Sequence, residues 1–220
     1  MNDFSKYDQK LEFILRNAAR IFAEKSYHST SMRDISRATG VSLAGLYHYC
    51  KSKEELLFLI QDNCFGRVIE RLESRLSDTT NPIDKLRIFI DNHLAFFAAN
   101  MAEMKVLSHE AESLVGDLRL RVSDRKESYT RIAREILSEV QQSQPAANRA
   151  IDLTVATYAL FGMMNWIYNW YNPSGKLAVN ELVENVTRLY LTGFVNDTNE
   201  PALDWSAASR AEGLNVWREP

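Results

Sequence analysis

The chain has 220 residues, 45% apolar and 25% charged, with a formal net charge of −3. That length suits one large domain, or a small domain joined to a medium one, around an ordinary core. The acidic balance excludes a wholly basic, histone-like nucleic-acid binder, but not a local basic face: residues 1–55 carry nine Lys or Arg against seven Asp or Glu, and the remainder seventeen against twenty-two.

Cys50 and Cys64 are the only cysteines. Their spacing matches no metal or redox motif, and two cysteines make no disulfide framework. The first residues lack a signal-type apolar run. No stretch approaches the ~18–20 apolar residues of a membrane span. A cytoplasmic protein without a membrane partner is expected.

Prolines and glycines are few, and strand-like alternation is nearly absent, so an all-α fold of about nine helices is expected. Leu11, Ile14, Leu15, Ala18 and Phe22 fall on one helical face, predicting a first helix over about Tyr7 to Lys25. Ser31 followed by Asp34 predicts a capping box for a short second helix that Gly40 ends. Ser42 caps a very short third helix through Tyr49, and Ser52 with Glu55 opens a long fourth to about Ser77. Pro82 begins a fifth helix reaching about Asn100, and a short sixth follows to about Glu110. A charged seventh spans about Gly116 to Gln142, an eighth residues 148–171, and a ninth about Ala178 to Asn196. The polar tail from Asp197 reads as extended or disordered. The expected units are residues 1–55, 56–197 and a tail, 198–220.

Two short helices meeting at a Gly-containing turn follow the helix-turn-helix plan. Ile35, Ala38, Val41 and Leu46 are placed to pack inside it. Ser42, Leu43, Ala44, Gly45, Tyr47, His48 and Tyr49 remain outward on the third helix. A helix entering the major groove needs such a face, small where the duplex approaches. The capped helix starts at Ser31 and Ser52 present amides suited to phosphate, with Arg33, Lys51 and Lys53 supplying charge.

Residues 10–57 resemble the TetR family of bacterial repressors. The matching residues are Leu15, Ala18, Phe22, Tyr27, Thr30, Ser31, Met32, Ile35, Ala38, Gly40-Val41-Ser42, Gly45-Leu46-Tyr47, Tyr49, Lys53, Glu54, Leu56 and Leu57. The resemblance implies that Ser42 to Gly45 face bases, while Thr30, Tyr47, Tyr49 and Lys53 hold phosphates. It also implies a C-terminal helical domain that dimerises and binds a ligand. The chain departs from the family pattern with Ser26 in place of Gly, Ser36 and Thr39 in place of Ala, and Cys50 in place of Phe.

Further along, aromatic and Met residues gather in the fifth, sixth and eighth helices. His93, Phe96, Phe97, Met101, Met104, Phe161, Met163, Trp166 and Trp170 are the candidate ligand-binding set. Core and dimer-interface packing is the alternative for the same residues, and accounts for most of them individually. Leu182, Val186, Leu189, Tyr190 and Phe194 form a stripe on the ninth helix, suited with the eighth to a homodimer. Gly162 to Gly175 resembles the Gly-Met-x-Asn-Trp…Trp-Tyr…Pro-x-Gly pattern of TetR-type regulators of fatty-acid catabolism, which implies an acyl-CoA effector. Arg119, Arg121, Arg125 and Lys126 are candidates for its head group, or else a solvated helix face. There is no phosphate loop, nucleophile elbow or metal-spaced cluster, so no cofactor, metal or catalytic residue is expected.

The expected function is a repressor released from operator DNA by a small apolar effector. A DNA binder of the same fold without a small-molecule effector, and a helical lipid-binding protein or enzyme, remain open alternatives.

Overall fold

The computed structural model describes residues 6–143 and 151–194. Nine α-helices and two short 3-10 segments make up its regular structure. They are α1 (Lys6–Lys25), α2 (Met32–Thr39), α3 (Leu43–Tyr49), α4 (Lys53–Leu76), α5 (Pro82–Ala99), α6 (Met101–His109), α7 (Gly116–Ser143), α8 (Leu153–Asn165) and α9 (Val179–Phe194). The 3-10 segments are Ala111–Ser113 and Trp166–Asn169. The expected tail and the end of the ninth helix lie outside the described residues. None of the described helices is long and apolar enough to cross a membrane.

Local chemistry sets most boundaries. Ser31 and Asp34 form a complete capping box, and Gly40 ends α2 in the left-handed region at φ 65°. Ser42 Oγ accepts the Gly45 N–H at 3.1 Å. Ser52 Oγ accepts the Glu55 N–H at 3.0 Å, but the expected return bond is displaced: Glu55 accepts the N–H of Lys51, one residue upstream. Asn81 caps α5 with Pro82 in its first turn.

The eighth helix is shorter than its apolar run predicts. Asp152 caps it by accepting the Thr154 and Val155 N–H groups, so it begins at Leu153. It ends at Asn165, where Trp166–Asn169 tightens into a 3-10 turn. Hydrophobicity all round the helix hid both signals.

One core runs through the molecule. Ile14, Ala18 and Phe22 of α1 pack with Ile35 and Leu46 of the two short helices and with Leu56 and Leu57 of α4. Further along, α4 packs on α5 and α7, and α5 on α9. No break interrupts α4 at residue 55. The α6 helix crosses back onto α1, tying the N-terminal unit to the rest.

The α9 stripe does not face outward. Leu182, Val186 and Tyr190 are buried within the chain, and only Leu189 of the described stripe residues is exposed, at 65%. The packing of α9 against α5 takes that face; the Phe194 side chain lies outside the described residues. An apolar surface remains on α8 and the segment after it, with Val155, Tyr158, Met163, Trp166 and Trp170 exposed.

Candidate DNA interface and effector cavity

The turn between α2 and α3 is stitched by two of the four residues that depart from the family pattern. Ser36 Oγ donates to the Val41 carbonyl at 2.6 Å. Thr39 Oγ1 donates to the Ile35 carbonyl at 2.8 Å and accepts the Val41 N–H at 3.3 Å. Thr39 therefore takes the inward place expected of Ala38, which is exposed. Ile35, Val41 and Leu46 are buried as expected, and Cys50 plugs the core beside them. Burial pushes the Cys50 thiol up to about 11, with Glu55 adding to it, and the Cys64 thiol up to about 12. Both are free, neutral thiols.

The structure places Ser31, Arg33, Ser42, Ala44, Tyr47, His48 and Lys51 on the exposed side of this unit. Leu43 and Tyr49 are half-buried. Tyr49 packs on Tyr7 of α1 with ring centroids 4.8 Å apart, and the His48 ring lies 5.4 Å from Tyr49. Tyr7 belongs to this aromatic rim and was missed by sequence reasoning, because nothing in its local pattern marks it. The Ser31 hydroxyl and backbone amide both bond Asp34, which holds the Asp34 carboxyl below its usual range.

Two expected phosphate residues are committed inward. Thr30 is 2% exposed and its hydroxyl donates to the Ser26 carbonyl at 2.8 Å. Its hydroxyl shapes the α1–α2 loop and has no surface to offer a phosphate. Lys53 Nζ donates to the Tyr27 and Thr30 carbonyls, each at 2.9 Å, and sits 4.2 Å from the Tyr27 ring centroid. Its cation reinforces the loop that carries α2.

Gly45 has a reason the sequence did not display. A Cβ there would lie 2.9 Å from Val41 Cγ1 and 3.2 Å from Ser42 Oγ. A side chain at this position would crowd the helix start itself, besides any approach of a duplex.

Beneath α8 lies a cavity of about 390 Å³. Of the expected ligand set, His93, Phe97, Met104, Phe161 and Trp166 line it. Phe96 does not: it lines a separate small cleft of about 60 Å³ with Glu12, Arg16 and Arg67. Met101 is half-buried elsewhere, and Met163 and Trp170 lie on the exposed apolar face. Missed by sequence reasoning were Gln61 and Phe65 of α4, then Val122 and Tyr129 of α7. Tyr158 and Asn165 of α8 were missed as well. Helical periodicity identifies a buried face but not which buried faces enclose a void.

Of the expected head-group cations only Lys126 reaches the cavity wall. Arg125 pairs with Asp62 at 3.1 Å and Arg121 lies over the Phe58 ring at 4.4 Å. Among the described residues no cluster suits a metal ion.

A buried junction joins the cavity to the N-terminal unit. Glu110, 7% exposed at the end of α6, accepts the Tyr27 N–H on Oε1 at 2.9 Å and the Ser113 hydroxyl on Oε2 at 2.8 Å. Its carbonyl accepts the side-chain amide of the cavity residue Gln61 at 3.3 Å. Nearby, the Val115 N–H donates to Glu54 at 3.0 Å.

Residues 14–60 match the profile of bacterial regulatory proteins of the tetR family, and residues 79–194 that of the tetracyclin repressor-like C-terminal domain. The fatty acid metabolism regulator protein of Bacillus subtilis is 26% identical over 186 residues, 83% of this chain and 94% of that protein. AibR, solved in complex with isovaleryl coenzyme A and operator DNA, has a TM-score of 0.72 at 31% identity, covering 82% of this chain and 97% of that one. PfmR from Thermus thermophilus has a TM-score of 0.73 at 30% identity, covering 81% of this chain and 96% of that one. The two profiles match successive parts of a chain whose short helices and cavity already imply a ligand-gated DNA binder, and the chain belongs to the TetR family of bacterial regulatory proteins.

Proposed function

We propose that this chain is a homodimeric cytoplasmic repressor that grips operator DNA through α3 and releases it when an acyl-CoA thioester fills the cavity beneath α8. The observation that carries the reading is the cavity itself, lined mostly by apolar and aromatic side chains and joined through Gln61 and Glu110 to the loop that positions α2. The similarity to AibR, whose solved complex holds isovaleryl coenzyme A and operator DNA, supports the choice of ligand class.

Residues 1–55 form the DNA-reading unit in this proposal. Ser42, Leu43, Ala44 and Gly45 face bases, and Tyr47, Tyr49, Lys51 and the start of α2 hold phosphates. Phosphate contacts position the protein and base contacts specify the site. Lys126 at the cavity wall takes the charged end of the effector, and the aromatic interior takes the acyl chain.

Release follows from linkage. The effector has to prefer a conformation in which the two recognition helices no longer match successive major grooves, ~34–36 Å apart. A coupling of about 1–3 kcal/mol is typical for such a switch. The α4 helix spans both units and is the lever.

The test is a series of saturated acyl-CoAs of increasing length, read by tryptophan fluorescence and by gel-shift release of operator. Each buried methylene adds about 0.8 kcal/mol until the cavity is full, so four carbons should add roughly 3 kcal/mol. Silence at every length removes the acyl-CoA reading and leaves a repressor with another effector.

A further inference from the structure

The cavity is lined mostly by apolar and aromatic side chains, yet its wall carries a buried polar atom without a well-formed hydrogen bond. His93 is almost wholly buried, and its ring is boxed by Phe97, Tyr129 and Phe161, with centroids 4.7, 5.9 and 5.9 Å away. Its Nδ1 lies 3.2 Å from the Tyr129 hydroxyl, whereas Nε2 makes no well-formed hydrogen bond among the described residues, with the Asn165 side chain close to the ring. Buried nitrogens of this kind are nearly always paired, since an unpaired one forfeits its hydration with nothing in return. An all-hydrocarbon ligand filling the cavity would leave Nε2 in that state.

Among the described residues no carboxylate lines the cavity, and Lys126 is the only ammonium there. Burial holds the His93 imidazole down to about 3, against a smaller upward pull from the Asn165 side chain, so the ring is neutral at physiological pH. A neutral ring in an aromatic box suits a neutral partner and disfavours a carboxylate. With the Tyr129 hydroxyl donating to Nδ1, Nε2 carries the proton and is a donor; in the other tautomer it accepts. A ketone oxygen satisfies the first arrangement and a hydroxyl satisfies either.

We propose that the effector carries an uncharged oxygen, a ketone or a hydroxyl, within its apolar body, and that His93 Nε2 pairs with it beside the Asn165 side chain. This rests on the cavity being the effector site. It narrows the ligand class to oxygen-bearing chains or rings and makes His93 the specificity-determining residue.

The probes are octanoyl-CoA, the positional series of keto-octanoyl-CoAs, and the CoA-free octanones with octane, titrated against the full chain by fluorescence. At least one ketone position should bind the natural protein about tenfold tighter than the plain chain. His93→Leu should bring that preference within about twofold, and His93→Gln should retain part of it. Thermal melts check that each variant folds; should His93→Leu not fold, His93→Gln and the 15N shift of His93 Nε2 in the natural protein carry the test. A plain chain that binds as tightly as every ketone overturns the proposal, as does a ketone preference that survives His93→Leu. Binding of CoA esters without that preference keeps the acyl-CoA reading and removes this one. A His93-dependent preference among the free octanones with silent CoA esters does the reverse. Silence from every probe overturns it.

Discussion

Ser26 is the one described non-glycine residue with positive φ, at 66°, immediately after α1. Glycine occupies such a position without steric cost, whereas a Cβ there costs about 1–3 kcal/mol. Ser26→Gly should stabilise the protein by about 0.5–1 kcal/mol once the extra freedom of the unfolded chain is offset. A raised urea midpoint at unchanged slope checks it. Gly45→Ala should do the opposite. Val41 is stiff at χ1 and has to yield to the new Cβ, at a cost of about 1–3 kcal/mol, and operator binding should fall with the disturbed helix start. His93 gives the protein a pH dependence. Its folded value is depressed, so the stability it contributes is complete above the unfolded value of ~6.5 and is lost as pH falls toward about 3. Between pH 7 and pH 5 the loss should reach about 2 kcal/mol. Urea melts at the two pH values should show that loss in the natural protein and its absence in His93→Leu.

Between elements, Glu110 is the most concentrated contact. It ties the end of α6 to the loop before α2, and its carbonyl meets Gln61 of α4. Glu110→Ala leaves the Tyr27 N–H without its acceptor and should cost about 1–3 kcal/mol of stability. More telling is the coupling. The variant should still bind effector in the cavity, but effector should loosen its operator complex several-fold less than in the natural protein. Gel shifts with and without effector measure that ratio directly, and an unchanged ratio would exclude Glu110 as a route. Such junctions were not legible beforehand. The caps of α2 and α4 were, because Ser with an acid three residues on is a local signal that tertiary packing seldom overrides. Glu110 carries no such signal: its partners Tyr27 and Gln61 lie 83 and 49 positions away. The boundaries of α8 failed for a related reason. Its apolar residues read as one continuous helix, and the Asp152 cap was lost among them.

At the scale of the whole molecule, the exposed apolar face of α8 and Leu189 of α9 is what a second copy would cover. Sequence periodicity found the α9 stripe but assigned it to the partner, because periodicity marks a buried face without naming its neighbour. Leu182, Val186 and Tyr190 are already spent within the chain. The prediction therefore moves to the residues left outside. Val155→Glu with Leu189→Glu should give a monomer in sedimentation at micromolar concentration. With one recognition helix per particle, operator affinity should fall toward the non-specific level, about 1000-fold or more. The far-ultraviolet spectrum should stay helical. A stable dimer in the double variant would move the interface elsewhere.

Tyr158 and Trp166 line the cavity and are also 63% and 61% exposed on that same face. The wall that contains the effector is thus one the partner subunit would press against. Dilution and effector then act on a shared surface, and by mass action the apparent effector affinity becomes a function of protein concentration. Titrations at nanomolar and micromolar protein would describe two different receptors. In a cell, the number of copies of the regulator would itself tune how much metabolite it takes to respond.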